Sequence, residues 1–311
     1  MHTTTSVVTH MEVDLQDPDS IVYSAGSDLF KLKLKHDGSE PIIDRLTEEG
    51  ALNESSYTSF AQMDQNSILI VDISHHCIIW FNRSSCAKPQ PLVGVCNEPG
   101  YRDGLLHQAL FRFPNHIVKR PSSKTFYLTE NFYIRQIQFD HIDMVTTLLH
   151  HESHVILSVA LNFEGDHGYY TTEDRLQSFH FPNPHLNIRA LSLAEKVGHA
   201  DGMLSSSHYN ILSRIALLNP ETLMITDDGN KCFRIVDLGR KYVSSICNLG
   251  AKHKSPIIGD IAGCNLHHPF AQLYLPNQSA ILLTDGRYIL KLNVTGKEHS
   301  KKLSSQLSQV A

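Results

Sequence analysis

Twenty histidines and six cysteines are the residues of this 311-residue chain with the most chemistry to offer. Histidine titrates near neutral pH and ligates metals through a neutral ring nitrogen, so metal binding, proton transfer and pH sensing are the chemistries to weigh first. The densest cluster is His150-His151-Glu152-Ser153-His154. A zinc-binding H-E-x-x-H helix needs two residues between its Glu and its second His, so that both imidazoles share one helix face. Only Ser153 separates Glu152 from His154, and the segment reads as a solvated loop. His75-His76 and His267-His268 read as pairs in turns. No G-x-S-x-G elbow, phosphate-binding glycine loop or Cys-x-x-Cys is present. The cysteines, Cys77, Cys86, Cys96, Cys232, Cys247 and Cys264, are even in number, which suits disulfides and buried thiols alike.

Composition narrows the classes further. Hydrophobic residues make up 41% and charged residues 19%, as in a globular chain rather than a disordered one. The net charge of -5, with no basic run beyond Lys301-Lys302, argues against nucleic acid as a partner. No apolar run approaches the ~18 residues of a membrane helix. The start, Met1 to Val8, lacks the basic and apolar regions of a signal peptide. Four N-x-[ST] sequons, at Asn53, Asn82, Asn277 and Asn293, nevertheless point toward the secretory pathway.

The elements that must position these residues repeat. A short apolar strand ending in Thr or Ser and an acid occurs as Ile68 to Asp72, Phe126 to Glu130, Gly168 to Glu173, Leu223 to Asp227 and Ile281 to Asp285. A sixth copy, Ile21 to Ala25, lacks the acid. Each anchor strand is followed by a turn and a second alternating strand, such as Cys77 to Phe81 or Phe233 to Asp237, and period-2 alternation marks a half-buried strand. The intervals suit four-stranded blades of roughly 40–50 residues plus loops. This predicts an all-β, six-bladed β-propeller over residues 20–297. The stretch near Asn162 to Leu193 departs most from the repeat and leaves five or seven blades open. Residues 1–19 form an N-terminal segment whose Ser6 to His10 stretch could close the last blade, and residues 298–311 read as a polar tail.

A second motif names a resemblance. Gly100-Tyr101-Arg102-Asp103-Gly104 recurs as Gly198-His199-Ala200-Asp201-Gly202. The first is followed by Phe111-Arg112-Phe113-Pro114, an apolar strand, Thr129-Glu130 and then Asn131 to Arg135. This order resembles the NHL repeat, with a second good copy at Thr226 to Arg234. The resemblance covers most of residues 20–295. It implies an NHL-type propeller, and that family includes a zinc lyase acting on peptidyl-hydroxyglycine. The lyase's zinc histidines directly follow a proline at the start of an inner strand in three blades. Here Asn115 follows Pro114, Phe270 follows Pro269, and Ser213-Arg214-Ile215 has no proline. His116 is one residue out of place, and alternation predicts that it faces the other side of its strand.

The turn residues of the repeat therefore read as structural, with no catalytic set and no cofactor. The leading expectation is a non-enzymatic scaffold recognising a protein or peptide through loops on one face. A divergent propeller lyase or hydrolase with a metal in the central channel is the alternative, and an RNA-binding NHL domain comes third. Repeat logic also pairs the cysteines. Cys77 and Cys232 each follow their anchor acid by five residues, at the start of a third strand, while Cys96 and Cys247 fall near the end of the fourth. In an antiparallel hairpin those ends are neighbours, which predicts Cys77–Cys96 and Cys232–Cys247. Cys86 and Cys264 have no partner by this logic. Two such bonds favour an extracellular or secretory location, with a cytoplasmic protein carrying reduced thiols as the alternative.

Overall fold

The computed structural model describes residues 6–35, 39–48, 57–85, 88–140, 142–182, 184, 187–192, 197–247, 266–295 and 302–309. Within them lie six small antiparallel sheets. Blade 1 comprises Val8–Val13, Ser20–Ala25, Asp28–Lys33 and Ile42–Arg45, and blade 2 Tyr57–Gln62, Ser67–Asp72, Cys77–Asn82 and Gln90–Val93. Blade 3 comprises Pro114–Lys119, Thr125–Glu130, Tyr133–Gln138 and Met144–His150, with Gly104–Leu105 added at its outer edge. Blade 4 comprises Ser158–Leu161, His167–Thr171, Leu176–His180 and Arg189–Ala190. Blade 5 comprises Leu212–Asn219, Thr222–Asp227, Cys232–Asp237 and Tyr242–Ile246, again with an outer addition, Gly202–Met203. Blade 6 comprises Pro269–Leu275, Ala280–Asp285, Tyr288–Thr295 and Lys302–Gln309. The first strands pack successively against one another, and that of blade 6 returns to that of blade 1, so six inner strands close a ring.

Burial explains the sequence pattern of each strand. The second strands lie between neighbouring blades, and Ser20–Ala25, Thr125–Glu130 and Ala280–Asp285 are buried at every position. That is why they read as continuous apolar runs rather than alternating ones. Between blades 2 and 3, Leu69, Val71 and Ile78 meet Ile117, Phe126, Leu128 and Ile137, with the half-buried Trp80 against the same cluster. Each fully buried side chain of this size contributes about 1.5–3 kcal/mol, and a blade without its neighbours would forgo most of it.

Both ends differ from expectation. Val8–Val13 stays in its own blade as the inner strand, pairing with Ser20–Ala25, rather than closing blade 6. Val8 and Met11 are buried in the cluster between blades 6 and 1, and that buried set fixes the register. Among the described residues, one backbone bond, from Val8 N–H to Gly286 O at 3.1 Å, reaches across from this strand to blade 6. Blade 6 is completed instead by Lys302–Gln309, inside what reads as a tail. An outermost strand needs backbone pairing more than apolar side chains, so a Ser-rich composition conceals it.

The anchor of blade 4 is also displaced. Ser158 pairs with Thr171 as His116 pairs with Thr129, which puts Thr172 where the other blades carry the acid. Thr172 is buried and Glu173 is exposed, so the acids at the equivalent position are Asp72, Glu130, Asp227 and Asp285.

Candidate functional site

Two of those acids anchor matching networks. In blade 3, Arg135 is buried on the third strand; its Nη1 donates to Glu130 Oε2 and its Nη2 to Asp103 Oδ1, both at 2.7 Å. The same guanidinium donates to the carbonyls of Leu110 at 3.3 Å and Arg102 at 3.0 Å, and lies 5.3 Å from the Phe111 ring. The other Glu130 oxygen accepts the Arg112 N–H. Blade 5 repeats the arrangement: Arg234 holds Asp227 Oδ2 at 2.7 Å, Asp201 Oδ1 at 2.9 Å and the carbonyls of His208 and Ala200, over the Tyr209 ring. The G-x-x-D-G loop, the strand-end acid and the third-strand Arg are thus one latch that ties an outer loop to the blade. Burial pushes the Glu130 carboxyl up to about 7 and raises Asp227, with the arginines offsetting part of the effect. Blades 2 and 6 keep the acid without the arginine. Asp72 accepts from the backbone and ring of His75, and Asp285 accepts the N–H groups of His267 and His268. These two pairs therefore sit in turns, as expected.

A second cluster lies on the axis. His10, Ser59, His116, Ser158, Arg214 and Ala271 occupy matching places on the six inner strands, just past the start. Large basic side chains come from blades 1, 3 and 5, and small ones from blades 2, 4 and 6. His10 and His116 meet at 5.4 Å between ring centroids although their blades are not neighbours, so they meet across the channel. His116 Nδ1 accepts from Val159 N–H at 3.4 Å, with Ser158 Oγ at 3.2 Å, which leaves the ring proton on Nε2. Burial holds both imidazoles below the usual value of 6.5, His116 well below, and Arg214 lowers both further. Arg214 lies 5.2 Å from the Phe270 ring, and burial pulls its guanidinium down to about 10. The expectation that His116 faces away from the other inner-strand positions is overturned. A β-bulge between Pro114 and His116 adds one residue and turns the imidazole to the axis. The set still does not suit zinc, because its third corner is a cation rather than a ligand.

Around the channel mouth, at the face where inner strands begin, the residue preceding the first paired position is Val7 in blade 1, Phe113 in blade 3 and Ile211 in blade 5. They are 47%, 49% and 50% exposed. Phe113 has φ 57° and Ile211 φ 58°, a region that costs a β-branched or bulky residue about 1–3 kcal/mol. Phe113 is held there by its N–H on His76 Nδ1 at 3.2 Å and an edge contact with that ring at 4.9 Å. Ile211 is held by its carbonyl, which accepts from Asp228 N–H at 3.0 Å.

The predicted disulfides are both present, Cys77–Cys96 with Cα atoms 5.1 Å apart and Cys232–Cys247 with 4.9 Å. Cys86 and Cys264 lie outside the described residues. In blade 3 the same position between third and fourth strands is filled by Tyr133 and His150, stacked at 4.6 Å. Thus His150 of the histidine-rich segment packs within its blade, while Glu152 and Ser153 are exposed. His199, of the second G-x-x-D-G loop, sits beside the blade 5 bond, its Nε2 3.8 Å from Cys247 Sγ. Of the sequons, Asn277 is exposed, Asn82 is half-buried with its Oδ1 taken by Ser84 N–H, Asn53 is outside the described residues, and nothing is described of the Asn293 side chain.

No family model and no curated protein matches this chain. Solved structures do match over nearly all of it. An auxiliary nutrient binding protein from Bacteroides thetaiotaomicron VPI-5482 superposes with a TM-score of 0.70 at 11% identity, covering 90% of this chain and 67% of that one. Its counterpart from Bacteroides ovatus ATCC 8483 gives 0.68 at 11%, over 90% and 67%. A chain from the nidogen/laminin complex gives 0.61 at 11%, over 93% of this chain and 95% of that one. At such identities the likeness establishes the fold alone: the chain is an all-β, six-bladed propeller.

Proposed function

We propose that this propeller is a non-enzymatic binding scaffold of NHL type that takes a protein or peptide partner on the face where its inner strands begin. The observation that carries the reading is the apolar rim of Val7, Phe113 and Ile211. Two of its three members are large apolar residues held exposed in a left-handed backbone, and strain of that kind collects at ligand-binding positions. The acids that could have served catalysis are instead engaged by arginines or backbone N–H groups. The latch accounts for the Asp, the strand-end acid and the Arg of the NHL-like motif, and a neighbour of this fold comes from a complex between two proteins. Two disulfides suit an oxidising compartment, and we place the scaffold outside the cell, with a glycan expected at the exposed Asn277.

The test is to pan an extracellular-protein array with the wild-type chain and with a Phe113→Asp/Ile211→Asp variant of equal thermal stability. Partners that bind the wild type and drop at least tenfold on the variant support the reading. Partners indifferent to the rim place the binding surface elsewhere, and tight binding of single-stranded RNA in a parallel filter assay would replace the reading with the RNA-binding one.

A further inference from the structure

The second G-x-x-D-G loop does more than supply Asp201 to the latch. It carries His199 to the outer hairpin of blade 5, where three potential metal-ligating atoms come together. His199 Nε2, Cys232 Sγ and Cys247 Sγ all lie within 4.8 Å of one another, and no other group of three His, Cys, Asp or Glu ligands comes this close among the described residues. His199 Nε2 is 3.8 Å from Cys247 Sγ and 3.1 Å from Ser245 Oγ, whose hydroxyl donates to Asp201 Oδ1 at 2.7 Å. A tetrahedral zinc with Zn–S near 2.3 Å and Zn–N near 2.0–2.1 Å sets its ligand atoms about 3.5–3.8 Å apart. The histidine already stands at that separation from one sulfur. The two sulfurs, now bonded, would have to part.

We propose that reduction of Cys232–Cys247 turns this staple into a Cys2His site for a thiophilic divalent cation of the zinc class. The chemistry balances in two steps. An external dithiol delivers two electrons and two protons to the S–S bond; that bond breaks, two thiols form, and the dithiol becomes a disulfide. The cation then binds two thiolates and the neutral imidazole, releasing the two thiol protons. Two thiolates cancel the charge of the cation, so the site is neutral beside Arg234, whose own charge is met by Asp227 and Asp201. The fourth position is left to water. Ser245 Oγ, held by Asp201, lies on the same Nε2 that would take the cation, so metal binding exchanges this hydrogen bond for the metal–nitrogen bond.

The repeat supports the assignment in two ways. The same blade position is closed by a disulfide in blades 2 and 5 and by the Tyr133–His150 stack in blade 3, so the fold accepts different chemistries there. Among the described residues, of the two disulfides only the one in blade 5 has a histidine against its sulfurs to complete a ligand set. A metal would hold the hairpin closed under conditions in which the disulfide cannot.

The experiment uses the whole chain, reduced with a phosphine that does not bind metals, and titrated with Co2+ and then Zn2+. The expected result is one tight equivalent per chain, with tetrahedral cobalt absorption and a sulfur-to-cobalt charge-transfer band that zinc abolishes. His199→Ala keeps every thiol and should weaken cobalt binding by at least about tenfold. Cys232→Ser/Cys247→Ser should lose the band, while Cys77→Ser/Cys96→Ser should keep it. The oxidised His199→Ala chain should melt as the wild type does, which separates a lost ligand from a lost fold. A reduced wild-type chain that takes up no cobalt overturns the proposal. So does a band that survives in Cys232→Ser/Cys247→Ser, or cobalt affinity unchanged by His199→Ala.

Discussion

The imidazoles of His10 and His116 meet edge to face at 5.4 Å across the channel, from blades separated by a third. Burial favours the neutral form of both, and Arg214 adds to that preference.

Acid should therefore loosen the ring from its centre. The unfolded chain binds protons at these histidines near pH 6.5 and the folded chain only lower, so their contribution to stability is complete above 6.5 and falls away as pH drops below it. Each tenfold difference in proton affinity is worth about 1.4 kcal/mol. Glu130 acts in the opposite sense between about 4.5 and 7, since its folded-state value is raised. The informative measurement is thus the difference between wild type and His116→Gln in denaturant midpoint from pH 7.5 to 5. The variant is expected to start lower and to vary less with pH; equal slopes would place the titrating group elsewhere.

The latches predict an order of severity. Arg234→Met leaves Asp227 buried without its partner and should cost about 3–5 kcal/mol in urea unfolding. Asp201→Asn removes a more exposed partner and should cost clearly less. Arg135→Met should match Arg234→Met, because the networks coincide residue for residue.

Disulfide loss should be nearly additive. Each bond spans 15 to 19 residues, and closing a loop of that size is worth about 3 kcal/mol in the chain-entropy model. Blades 2 and 5 are not neighbours in the ring, so a quadruple Ser variant should lose close to the sum of the two double variants in midpoint denaturation.

Rim variants should separate binding from stability. Glycine accepts φ near 58° without strain but has more freedom in the unfolded chain. Ile211→Gly and Phe113→Gly should therefore shift unfolding free energy by no more than about 1 kcal/mol while removing the apolar rim. A large loss of stability would show that these side chains serve the fold rather than a partner.

The sequence shows the fold more readily than the site, for physical reasons visible at particular residues. Strands such as Ile68 to Asp72 and Ile281 to Asp285 announce themselves because burial on both faces demands apolar side chains along their length. The cysteine pairs follow from register alone. His116 does not, because a bulge after Pro114 reverses the side it faces and has no residue signature of its own. Arg135 and Arg234 stand in the repeat motif, yet their work is a contact among three segments far apart in the chain. Glu173 misleads because Thr172, one residue earlier, fills the equivalent place without its charge.

Among the described residues, each blade is also assembled from consecutive residues, with no strand borrowed across the junction between the first and the last. Such a ring is a string of self-contained wedges whose number is limited by how well the angles fill a circle, not by threading. Duplicating or excising one wedge at the level of the gene would leave every remaining hairpin intact. A propeller built this way can change its blade number in single steps, and its two termini can be relocated to any inter-blade loop without cutting a sheet.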